Sequence, residues 1–114
     1  REKMSQEKIE YEESSGNVFK DLGLPNPEER LAKAQFASMI YDIIKERGLT
    51  QVETAKILGI SQPKVSALRN GKLASFSIEQ LFSFLGKLDR DIEIIVRERP
   101  KDKPEAEISI SAAV

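Results

Sequence analysis

Residues 50–72, TQVETAKILGISQPKVSALRNGK, bring together Gln51, Lys56, Gln62, Lys64, Ser66, Arg69, Asn70 and Lys72. These amides, hydroxyls and cations are the donors that suit phosphate oxygens and base edges. Residues 49–75 hold four basic side chains against the single Glu53, although the whole chain has a formal net charge of -1. A polyanion responds to that local field rather than to the total. The acidic balance comes mainly from the N-terminal side, where residues 1–29 carry eight acidic and four basic side chains.

Other chemistries have little to draw on. The chain contains no histidine and no cysteine, which removes the usual imidazole base, the thiolate nucleophile and most zinc or iron ligand sets. An enzyme is therefore not expected, and neither is a cofactor or a metal. At 114 residues and 39% hydrophobic content, the length allows one small core with tails. No apolar run approaches the roughly 18 to 20 residues that span a bilayer, so a cytosolic protein is expected. Arg1, Glu2 and Lys3 precede Met4, which makes Met4 a candidate natural start.

The basic stretch must be positioned by helices. Asn26, Pro27 and Glu29 form a helix-start pattern, and Phe36, Ala37, Ile40, Ile43 and Ile44 recur at three- and four-residue spacing before Gly48. A helix is predicted from Pro27 to Arg47. Thr50 with Glu53 makes a capping box for a short helix that ends at Gly59, and Ser61 caps the next, which tolerates Pro63 in its first turn and stops at Asn70-Gly71. Ser77 with Gln80 opens a fourth helix whose apolar side reads as Ile78, Leu81, Phe82, Leu85 and Leu88, leaving Phe84 off the stripe. Tyr41, Ile44 and Phe84 read as core or interface residues.

Beyond that helix the period changes to two. In residues 91–99, DIEIIVRER, Ile92, Ile94 and Val96 share one face and Glu93, Ile95 and Arg97 the other, the pattern of a strand. A strand needs a partner for its backbone groups. The ISISAAV ending is a weak candidate, and packing as a local edge is an alternative. The simplest partner is the same strand of a second subunit, antiparallel about a two-fold axis, with Ile92, Ile94, Ile95 and Val96 at the dimer interface.

Two short helices joined by a glycine turn are the parts of a helix-turn-helix. Ala55 is expected to be small where the helices cross, Gly59 to supply the turn, Ile60 to plug it, and Val65 with Leu68 to seat the second helix. Gln62, Pro63, Lys64, Ser66, Ala67, Arg69 and Asn70 are left outward, with no carboxylate among them. Gln51, Ala55, Gly59, Ile60, Ser61, Val65, Leu68 and Asn70-Gly71-Lys72 resemble the motif of the phage repressor and Cro family, also called the XRE family. Thr54 departs from the leucine often found there, which predicts a less apolar core.

Within that family, residues 16–35 and 76–96 resemble HigA-like antitoxins. The resemblance implies a mainly α, four-to-five-helix lambda-repressor-like DNA-binding domain over residues 25–90, with one C-terminal strand (91–99) paired across a homodimer. An acidic, disordered arm (1–24) and a flexible tail (100–114) would flank it. It also implies operator DNA as partner, with Gln62, Pro63, Lys64, Ser66 and Ala67 near base edges and Gln51, Ser61, Arg69, Asn70 and Lys72 on phosphates. Gln62 suits the adjacent donor and acceptor of an adenine, whereas Pro63 offers only apolar contact. The HigA likeness adds a RelE/HigB-like ribonuclease toxin as a second partner, met through the arm, with its apolar residues Val18, Phe19, Leu22 and Leu24, and through the first helix. A stand-alone repressor is the alternative reading.

Overall fold

The computed structural model describes residues 17–105 and 107–113. Five helices follow one another: α1 (Val18–Asp21), α2 (Pro27–Arg47), α3 (Gln51–Leu58), α4 (Gln62–Arg69) and α5 (Ile78–Lys87). Contacts divide the chain into two compact units, Arg1–Leu31 and Ala32–Val114.

In the first unit, residues 1–16 of the expected arm lie outside the described residues. From Asn17 onward the backbone makes one helical turn, α1, where an arm was expected. The Lys20 amide donates to Asn17 Oδ1 at 3.2 Å, and Gly23, at φ 74, reverses the chain by donating its N–H to the Lys20 carbonyl. Asn17 is buried. Its Nδ2 donates to the Pro27 carbonyl at 3.0 Å and to Glu28 Oε1 at 3.2 Å, which fastens α1 to the start of α2.

Helix α2 has the bounds that its sequence predicts, but its entry differs from that of the other long helices. Asn26 takes a left-handed φ of 52, a conformation asparagine tolerates, while its carbonyl accepts the Arg30 amide at 3.0 Å. Thr50, Ser61 and Ser77 instead cap α3, α4 and α5 from extended backbone, and the capping boxes predicted for Thr50 with Glu53 and for Ser77 with Gln80 are formed. For the one that Asn26 and Glu29 suggest, Asn26 lacks the extended backbone of a cap.

The core of the second unit joins Ala37, Ile40, Ile43 and Ile44 of α2 to Leu58 of α3, Leu68 of α4, and Leu81, Phe84, Leu85 and Leu88 of and after α5. Each of these isoleucine, leucine and phenylalanine side chains, fully buried, contributes about 1.5–3 kcal/mol. Phe84 belongs to this core rather than off the stripe. Leu81, Phe84, Leu85 and Leu88 stand at i, i+3, i+4 and i+7, which is the true inner face of α5. Phe82 moves to the flank and meets Phe36 edge-on at 5.2 Å. Phe76, just before the Ser77 cap, is buried beside them and packs edge-on against Phe84 at 6.0 Å. Phe76 and Leu81 occupy the two positions of a hydrophobic staple.

The four long helices close alike. Leu49 N donates to Ile44 O, Ile60 N to Ala55 O, Lys72 N to Ala67 O and Arg90 N to Leu85 O, each around a left-handed residue: Gly48, Gly59, Gly71 and Asp89. This is the Schellman arrangement. Only the last uses a residue with a side chain.

Among the described residues there is no β-strand. Residues 91–99, read as a strand, run exposed and without a ladder in the single chain. Pro100 then begins a turn in which Lys103 N donates to the Pro100 carbonyl and Arg99 Nη1 reaches the Pro104 carbonyl at 2.8 Å. Lys103 pairs with Glu107 at 2.7 Å.

Candidate nucleic-acid interface

The turn between α3 and α4 is fixed from several sides. Gly59 has φ 73, and a Cβ there would lie 3.4 Å from Lys87 Nζ. That ammonium donates to the Leu58 carbonyl at 3.1 Å, placing a cation at the C-terminal end of α3, where the helix dipole favours one. Ile60 is half-buried against the core. Thr54 and Leu58 are the residues of α3 that are sealed from solvent, Thr54 at 0% exposure, while Ala55 is half-buried. The Thr54 hydroxyl donates to the Thr50 carbonyl at 2.8 Å, so this less apolar position leaves no hydroxyl unsatisfied.

Helix α4 turns Val65 and Leu68 into the core. Gln62, Pro63, Arg69 and Asn70 are exposed, and Ser66 is half-exposed. Gln62, Ser66 and Asn70 follow at i, i+4 and i+8, a single face, and Asn70 Nδ2 meets Ser66 Oγ at 3.4 Å. The side chain of Gln51, first residue of α3, donates from Nε2 to the Gln62 carbonyl at 3.1 Å. A predicted phosphate contact and a predicted base reader are thereby held together. Glu53 is bound to the Thr50 amide at 2.8 Å, so the one carboxylate of the stretch is engaged at a helix start. The Ser61 hydroxyl accepts the Lys64 amide, which makes it a cap first.

Two cations sit on aromatic rings. Lys64 Nζ lies 4.6 Å from the centroid of the Phe76 ring, and the Arg69 guanidinium carbon lies 6.0 Å from that of Tyr41. Such contacts contribute about 0.5–1 kcal/mol at exposed sites, an amount that Lys64 must give up in order to reach into a groove. Ala67 is half-buried and packs against the core, so only part of it faces outward. Lys72 is exposed just past Gly71.

The structure thus brings Gln51, Gln62, Ser66 and Asn70 together, with Pro63 and Arg69 alongside. The amides at the start of α3 that the capping box does not use have no intrahelical partner and suit an anion. Sequence reasoning missed Phe76 and Lys87, and it read Tyr41 as a core or interface residue where the structure has an exposed ring beneath Arg69. The staple position before Ser77 could have signalled Phe76; Lys87 reaches a different helix, and no local pattern announces that. Among the described residues no group of carboxylates could hold a metal ion, and no helix is long and apolar enough to cross a membrane.

Comparison with known proteins gives a consistent picture. A family model described as a helix-turn-helix domain matches residues 18–97. Among curated proteins none matches. A solved structure of a protein provisionally named an XRE family transcriptional regulator is 46% identical, covers 78% of this chain and 100% of its own, and superposes with a TM-score of 0.75.

Proposed function

The chain belongs to the XRE family of helix-turn-helix transcriptional regulators, and on that premise we propose that it is a homodimeric repressor reading a palindromic operator with α4. Members of such a family act by binding DNA rather than by catalysis. The observation that carries the reading is the outer face of α4, where Gln62, Pro63, Ser66, Arg69 and Asn70 stand without a carboxylate and Gln51 is tied to the Gln62 carbonyl. Gln62, Pro63 and Ser66 approach base edges, with Lys64 and Ala67 beside them. Gln51, Arg69, Asn70 and Lys72, with Ser61 at the cap, set the register on phosphates. Residues 91–99 join two copies through Ile92, Ile94, Ile95 and Val96, so that two α4 helices meet half-sites one helical turn, roughly 34 Å, apart. Selection from a random duplex pool tests this: an enriched palindrome with that spacing supports it, and the absence of any enriched sequence contradicts it.

A finer role as a HigA-like antitoxin in the bacterial cytoplasm is favoured by the N-terminal side. Leu22 and Leu24 stand exposed beside α1, in a segment with eight carboxylates among residues 1–29. Exposed apolar anchors among negative charges suit a basic partner surface, that of a RelE/HigB-like toxin. The side chains of Val18 and Phe19, also expected there, lie outside the described residues. Removing residues 1–24 abolishes neutralisation of the toxin encoded beside the gene and spares operator binding; neutralisation that survives the deletion contradicts the role given to this segment.

A further inference from the structure

Residues 91–99 present four β-branched side chains to solvent, with Ile92 40%, Ile94 70%, Ile95 60% and Val96 91% exposed. A run of apolar surface this open marks a contact surface, and the charges around it indicate what covers it. Asp91 and Glu93 precede the apolar centre while Arg97 and Arg99 follow it, so the segment is complementary to itself reversed. In-register parallel pairing would instead set Glu93 beside Glu93 and Arg97 beside Arg97, which is unfavourable.

Antiparallel pairing about a two-fold axis places one residue opposite its own copy, and side chains directly opposite share a face. Centring on Glu93 sets two carboxylates against each other. Centring on Ile95 pairs Ile94 with Val96 and Glu93 with Arg97, but it sets Ile92 against Glu98 and calls on Arg99 to meet Asp91, while the Arg99 guanidinium is bound to the Pro104 carbonyl in the following turn. Centring on Ile94 sets Ile92 against Val96 and Ile94 against itself, an apolar face without a charge, and brings Asp91 to Arg97 on the other face. Glu93 then meets Ile95, the one unmatched pair. The backbone allows this ladder, because Asp89 is left-handed and closes α5, leaving residues 91–97 free of helix.

We propose that the partner of residues 91–97 is the same segment of a second copy of this chain, antiparallel, with Ile94 on the two-fold axis and Asp91 paired with Arg97. The proposal rests on the dimer reading given above and assigns its register. Opposed Cβ atoms lie about 4.5–5.5 Å apart and diagonal neighbours about 7–8 Å, so a cysteine at the axis is close to disulfide distance whereas one at position 95 is not. The natural chain contains no cysteine.

The full-length Ile94→Cys and Ile95→Cys variants, mildly oxidised and compared on non-reducing gels, read the register. Covalent dimer forming at least tenfold faster in Ile94→Cys is the expected result; equal rates, or a preference for Ile95→Cys, overturn the register while leaving a dimer. Charge exchange gives a second reading by sedimentation. Asp91→Arg and Arg97→Asp each weaken self-association at least threefold and the double variant restores it, whereas a double variant no better than the singles overturns the pairing. Wild-type chain that stays monomeric at micromolar concentration overturns this proposal and the dimer reading together, while duplex binding by α4 remains separately measurable.

Discussion

The side-chain amide of Gln51 donates to the main-chain carbonyl of Gln62 at 3.1 Å, linking the first residue of α3 to the first residue of α4. The link crosses the helix-turn-helix at the edge proposed to approach DNA, so the position of α4 and the proposed phosphate contact at α3 are set together. Gln51→Ala removes both an anchor and a brace. Because the bond is exposed, its loss costs stability no more than about 1 kcal/mol, while operator affinity falls about tenfold, near 1.4 kcal/mol. Thermal unfolding beside a titration against several operator variants checks this, and the loss is expected to be uniform across them.

Thr54 separates packing from hydrogen bonding. The Thr50 carbonyl already accepts the Thr54 amide at 2.9 Å as well as its hydroxyl, so Thr54→Val leaves that carbonyl paired and costs about 1 kcal/mol or less. Thr54→Leu, which restores the residue type commoner at this position, forces added volume into a site with no exposure and costs about 1–3 kcal/mol. Denaturant titration of both variants gives the order.

Asp89 holds a left-handed φ of 66 where Gly48, Gly59 and Gly71 close the other long helices. Asp89→Gly relieves a conformation that costs a residue with a Cβ about 1 kcal/mol. It also gives up the 3.4 Å contact with Arg47, an exposed ion pair of the kind that contributes about 0–1 kcal/mol. Arg47 keeps its 2.8 Å bond to the Leu88 carbonyl. A net gain of up to about 1 kcal/mol is expected in chemical denaturation; a loss would show that the ion pair outweighs the backbone.

Asn17 lies within the segment that the sequence presents as an arm, yet it is buried and bonded to Pro27 and Glu28. Asn17→Ala removes these bonds and the cap on α1, at about 1–3 kcal/mol for a buried polar network. Hydrogen exchange should accelerate at residues 18–23 and stay unchanged in α3 to α5.

What could be read in advance follows from locality. The capping boxes of α3 and α5, Pro63 in the first turn of α4 and the glycines that close α2, α3 and α4 are patterns within a few residues, and each element stands where they put it. On the inner face of α5, Leu81, Leu85 and Leu88 are legible in the sequence, but the choice between Phe82 and Phe84 is not, because the two are equally apolar and only packing against Phe36 and Phe76 decides between them. Asn17 was hidden by acidic surroundings, and its partners lie ten and eleven residues away. At the site, the residue types of Gln51 and Gln62 were legible, but the bond between them was not. Lys64 on Phe76 and Lys87 on the Leu58 carbonyl depend on how helices meet, which no spacing encodes.

On the proposed function, α4 reads duplex DNA through Gln62 while cations beside it hold phosphates. The most direct measurement is operator affinity as a function of salt for the wild type, Gln62→Ala, Arg69→Ala and the double variant. Gln62→Ala should lose about 1–3 kcal/mol on the preferred operator and discriminate less at one base position, with the salt slope kept. Arg69→Ala should bind all sequences less tightly and flatten the slope by about one unit. Affinity and slope unchanged in the double variant would contradict the account.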